Sequence, residues 1–149
     1  MEFKIPEPLK EEHEELHEEL ARTIRVGGKI GMAAKRVAEI MHPHFIKEEE
    51  YAMPPLGLLA PLSKGDIKPE MGDVLRITER LKAGLHLMLA EHAAIVDALI
   101  KLADVATMEN KMEVAFFAKK LILHIQTEEE VLYPAAILTG EYLKLRLNK

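Results

Sequence analysis

The sequence predicts an all-α fold, an antiparallel up-down four-helix bundle with a Pro/Gly-rich insert between its second and third helices. Three observations predict it. Apolar residues recur at helical spacing in four stretches. The turns after the first and third stretches are short, which makes consecutive helices antiparallel neighbours. The two halves of the chain also repeat one pattern of His, Glu and Pro.

The first helix is predicted from about Pro8 to about Val26, with Leu9, Leu16, Leu20 and Ile24 on one face. Gly27, Gly28 and Gly31 supply a turn. The second helix is predicted from about Met32 to about Ala52, with Val37, Ile40 and Met41 on one face. Pro54 and Pro55 end it, because proline lacks the N–H that a helix needs. The stretch from Met53 to Gly72 holds four prolines and three glycines, so it is not one regular helix. It is too long for a plain helix connection. Its first half is apolar, so it is expected to pack against the bundle. The third helix is predicted from about Asp73 to about Val105, carrying Leu85, Leu89, Val96 and Leu99. A polar turn follows, in which Asn110 and Glu113 have the spacing of a capping box. The fourth helix is expected to reach about Tyr133, where Pro134 interrupts it and a short tail begins.

Bulk composition narrows the function. A length of 149 residues predicts one domain, 1–149, with a full core. Apolar residues at 48% and charged residues at 30% read as a soluble globular chain. The chain has no cysteine, which excludes disulfides, thiolate metal sites, iron–sulfur clusters and cysteine nucleophiles, and fits a cytoplasmic setting. The acidic N-terminal stretch does not read as a secretion signal. Charges or Pro/Gly interrupt every apolar run, so no membrane partner is expected. A net charge of −5 argues against nucleic acid.

The repeat carries the chemistry. His44, Glu48, Glu49, Glu50 and Pro54 align without a gap on His124, Glu128, Glu129, Glu130 and Pro134. Upstream, Glu12-His13 aligns on Glu91-His92; His13 precedes His44 by 31 positions and His92 precedes His124 by 32. The pseudo-repeats span about 9–54 and 88–134. Residues i and i+4 share a helix face, so His44 with Glu48, and His124 with Glu128, each present an imidazole and a carboxylate to one point. His13 and His17 do so with two imidazoles. His124 falls in the stripe of Phe117, Leu121, Val131 and Leu132, and His92 in that of Leu85, Leu89, Val96 and Leu99. His13 and His17 fall among Leu9, Leu16, Leu20 and Ile24. All are expected to face the core.

An unsatisfied buried polar group costs about 1–3 kcal/mol, and a charge costs more. Metal coordination removes that penalty. Four or five His with two Glu exceed one tetrahedral zinc. They suit two ions of higher coordination number bridged by carboxylates, and mixed N/O ligation suits iron. A lone core His, a lone His-x-x-x-Glu or a run of Glu has a plainer reading, as a packed residue, a surface pair or a solvated face. Two copies of the whole arrangement at matched distance outweigh those readings.

This pattern resembles the hemerythrin-like, or HHE cation-binding, family over about Leu9 to Leu138. Its carriers are His13, HFIKE at 44–48, Glu91-His92 and HIQTE at 124–128. The resemblance implies a non-haem centre of two iron ions, held by His13, His44, Glu48, His92, His124 and Glu128, with the two Glu bridging. Hemerythrins proper carry a fifth His one turn from another on the third helix. Here Val96 stands one turn after His92, and the paired His are His13 and His17. His17 is therefore carried over as an extra ligand; a hydrogen-bonded core His is its other reading. Pro43 is expected to kink the second helix, which aims His44 or lets His42 compete for metal. His86 lies off the core face and is read as no ligand.

The implied function is binding of O2, or sensing of O2, redox state or iron. The small partner is O2 or another diatomic or peroxide. Leu16, Leu20, Leu89, Phe117, Leu121 and Ile125 are expected to line a dry pocket. No general acid or base stands out beyond the ligands, which favours binding over turnover. The alternatives are an enzyme reducing peroxide or nitric oxide, or a regulatory bundle acting through a protein partner or a homo-oligomer.

Overall fold

A computed structural model describes the whole chain, Met1–Lys149. Helix α1 (Glu7–Arg25) carries Pro8 in its first turn, where a missing N–H breaks no helical bond. Gly27 and Gly28 follow with φ of +76° and +58°, a region that a Cβ would strain, and reverse the chain into α2 (Gly28–Lys47). α2 is helical through Pro43, and Gly31 lies inside it rather than in the turn.

A π-turn, Glu48–Ala52, continues α2, and the Met53 N–H donates to the Glu48 carbonyl at 2.8 Å. The insert then folds as a 3-10 turn (Pro54–Leu58), a short α3 (Leu59–Ser63) and a second 3-10 turn (Pro69–Val74). It packs on the bundle, as its apolar half implies. Leu58, Leu62, Met71 and Val74 form a buried cluster with Leu143.

Helix α4 (Leu75–Met108) is the longest. Asn110, with φ of +57°, turns the chain into α5 (Met112–Thr127). The expected capping box does not form. Lys111 precedes α5 and no side chain caps it, while Asn110 occupies the left-handed conformation that asparagine tolerates. A second π-turn, Glu128–Leu132, follows α5 and leads straight into α6 (Tyr133–Leu147). The tail expected after Pro134 is therefore helix, with Pro134 in its first turn.

Each π-turn ends two residues before a proline, Pro54 in one half and Pro134 in the other. A proline ring clashes with the carbonyl one α-turn back and offers it no N–H. A wider turn relieves that clash, and such turns concentrate at functional sites.

Four rods result: α1, α2 with its π-turn, α4, and α5 running through its π-turn into α6. α4 packs on α2, α5 and α6, and α1 packs mainly on α2. The buried stripe of α4 is Leu81, Met88, His92, Ile95, Leu99 and Leu102. Leu89 is 37% exposed, which corrects its expected place in the core. It sits one residue, about 100°, round from Met88. The stretch Pro69–Met108 is also long and apolar enough to meet a test for a membrane span, contrary to expectation. Its apolar stripe is spent on the bundle core, with His92 in its middle.

Along each rod an ionisable residue marks the junction of two apolar clusters. Leu16, Met41, Leu99 and Leu121 belong to the larger cluster. Tyr51, Met88, Tyr133 and Ala136 belong to the smaller one, with Leu9 packed against it. His13, His44, Glu48, His92, His124 and Glu128 lie between them, all buried.

Candidate metal centre

Two ligand groups share this layer. His44, Glu48, His92 and Glu128 form one, with ligand atoms within 4.8 Å of one another. His13, His124 and Glu128 form the other by the same measure. Glu128 faces both. Its Oε1 lies 3.3 Å from His92 Nε2, and its Oε2 lies 3.5 Å from His13 Nε2 and 3.4 Å from His124 Nε2. Glu48 Oε2 is 3.7 Å from His44 Nε2.

Outer carboxylates settle the protonation of three imidazoles. His44 Nδ1–H donates to Glu91 Oε1 at 3.0 Å, and His92 Nδ1–H donates to Glu129 Oε1 at 3.0 Å. His124 Nδ1–H donates to Glu12. A carboxylate only accepts, so each Nδ1 carries a proton, and each Nε2 is the atom turned inward, a lone pair whenever the ring is neutral. This is the outer hydrogen bond that orients metal-bound histidine. Lys47 Nζ in turn donates to Glu91 Oε2 at 2.8 Å.

The centre is therefore dense in metal-ligating nitrogen and oxygen atoms. Tyr133 O–H donates to Glu48 Oε2 at 2.5 Å, and the same oxygen lies 3.1 Å from both His44 Nε2 and His92 Nε2. One proton thus faces three acceptors. His13 Nε2 and His124 Nε2 approach to 3.3 Å. Glu48 Oε1, Glu128 Oε2 and His13 Nδ1 are buried with no hydrogen-bond partner. The orphaned lone pairs of the two carboxylates are what a cation satisfies, whereas His13 Nδ1 lies on the far side of a ring whose Nε2 faces the centre.

Burial sets the two carboxylates and the imidazoles apart electrostatically, as expected of closely packed ionisable groups. Burial, then the charge of Glu128, pushes the Glu48 carboxyl well above the usual range. Burial also acts to raise Glu128, but Glu48 and the imidazoles of His124, His13 and His92 packed around it hold it well below. Burial lowers His44 and so favours its neutral, ligating form. Burial would lower His124 too, but Glu128 and Glu12 outweigh it and raise it. Burial, then the charges of Glu48 and Glu128, pushes the Tyr133 phenol far up.

His17 is not brought to the cluster, which corrects its reading as a ligand. It is half-buried, with its ring centroid 4.4 Å from that of Phe45 and 6.1 Å from that of His42. Phe45 also contacts His13, at 4.7 Å between centroids. Burial, then His42, lowers the pKa of His17. His42 and His86 are exposed and stand outside both groups.

Tyr133 is the residue that sequence reasoning missed. Five residues on from Glu128, an α-helix would place it about 140° round the axis. The π-turn closes on the fifth residue and brings it to the same side. It also turns Val131 outward, to 55% exposed, against its expected place in the core stripe. The triple Glu followed by Pro, present in both halves, is the signal that could have flagged it.

No curated protein and no solved structure matches the chain. A family model does, the hemerythrin HHE cation binding domain, over residues 5–136. With the four-rod fold and the buried His/Glu layer already in place, that match over most of its length makes the chain a member of the hemerythrin HHE cation-binding family.

Proposed function

We propose that this cation-binding bundle holds two non-haem iron ions and uses them to bind, or to sense, O2 or another small diatomic or peroxide in the cytoplasm. The observation that carries the reading is the buried donor layer: inward Nε2 atoms and two buried carboxylates, each with an oxygen that has no hydrogen-bond partner. His44, His92, Glu48 and Glu128 would hold one ion, and His13, His124 and Glu128 the other. Glu128, with one oxygen toward each group, is placed to bridge. The mixed N/O donor set without thiolate fits iron.

Iron bound there supplies an electron-rich centre at which a small oxidant can coordinate. The protein's own residues supply the rest. Glu12, Glu91 and Glu129 hold three imidazoles in register and in the ligating tautomer. Leu16, Phe45, Leu121 and Ile125 close one side of the layer to water. Exposure of Leu89 removes it from that wall.

The test is metal analysis of protein made in iron-rich medium, with optical spectra before and after air. About two irons per chain are expected, as the donor count suggests. A visible band should appear in air and fade when O2 is removed. An iron-free protein, or one holding a single zinc under these conditions, would overturn the reading. Steady turnover of peroxide or nitric oxide with a reductant would replace binding by catalysis.

A further inference from the structure

The two ligand groups are not equivalent. Under the repeat offset of 80 positions, Tyr133 corresponds to Met53. Both follow a π-turn and both are buried. The Tyr133 oxygen reaches three ligand atoms of the first group at 2.5–3.1 Å. Met53 brings no oxygen to the second group and instead lines a cavity of about 170 Å³ with His13, Glu49, Glu14, Lys10 and Ile5. His13 is also the one imidazole of the four with no outer partner on Nδ1. One side is thus filled by a phenol and tied down, while the other opens onto space.

We propose that Tyr133 is itself a ligand to the ion held by His44 and His92, so that the exchangeable position belongs to the ion held by His13 and His124. This rests on the two-ion reading above. Coordination exchanges the phenol O–H bond for an O–metal bond, and the proton leaves through Glu48 Oε2 to solvent. Two cations supply the positive field that makes phenolate ligation favourable. A thioether is a soft ligand that a ferric ion does not prefer, so Met53 leaves its side open.

The test loads wild type and Tyr133→Phe with iron, oxidises both in air, and measures iron content, visible absorption and resonance Raman spectra. Wild type is expected to show a phenolate-to-ferric band with tyrosinate ring modes. Tyr133→Phe keeps the ring's packing and should keep its iron while losing both signals. Azide, added to wild type, should bind without removing the phenolate signal. Full iron in wild type without tyrosinate modes overturns the assignment and leaves the two-ion reading standing. Substoichiometric iron in wild type overturns both. Loss of the tyrosinate modes on azide addition overturns the claim about the open position. The wild-type spectra decide the matter even if Tyr133→Phe does not fold.

Discussion

At the residue scale, Glu128 joins the two ligand groups, since its two oxygens face different sets of imidazoles. Glu128→Ala should therefore lower metal content at both positions, whereas loss of a histidine should empty mainly one. Elemental analysis after desalting checks this; unchanged metal would remove Glu128 from the ligand set. The outer carboxylates have a smaller part. Glu91→Gln keeps an acceptor for His44 but loses the charge, and the metal dissociation constant should rise by about 10–100-fold in chelator competition. His17→Ala should leave metal content unchanged, because Phe45 and His42, not the centre, surround that ring. A loss of metal in His17→Ala would restore it as a ligand.

At the element scale, the winding of the helices decides what could be read in advance. The six residues His13, His44, Glu48, His92, His124 and Glu128 were legible because each lies on a segment of regular α-helix or at its end, where i,i+4 spacing fixes the face. Tyr133 and Val131 were not, because the π-turn shifts the face within five residues. His17 shares an α-helical face with His13, yet which of two neighbours on a face reaches the centre depends on Phe45 from another rod. The helix after Pro134 was hidden for the same reason as Tyr133. A proline that ends an α-helix is tolerated once a wider turn precedes it. Contact between rods adds a further constraint at Gly140 of α6. A Cβ there would lie 2.2 Å from Thr78 Oγ1 and 2.7 Å from Thr78 Cβ on α4. Gly140→Ala must push the two rods apart, and should cost about 1–3 kcal/mol as overpacking does. Denaturant titration reads it; a midpoint at the wild-type value would mean that α4 and α6 separate freely.

At the scale of the whole molecule, the buried polar layer ties metal to stability. Without a cation, buried Glu48 Oε1 and Glu128 Oε2 lack partners. Each such group costs about 1–3 kcal/mol. An ion that binds only the folded chain adds about 2.7 kcal/mol when its free concentration is a hundred times its dissociation constant. For a chain of this size 1 kcal/mol moves Tm by about 2–4 °C, so stripping each ion should lower Tm by about 5–10 °C. The candidate ligands come from all four rods, so the loss should not stay local. Amide exchange should accelerate together in α1, α2, α4 and α5 on chelation, and readdition of metal should reverse it. Exposed pairs such as Arg36–Glu39 and Lys101–Asp97 contribute little, so moderate salt should leave that difference nearly unchanged. Protection lost from one hairpin alone would mean that the other does not share the metal, and the bridge through Glu128 would fall with it.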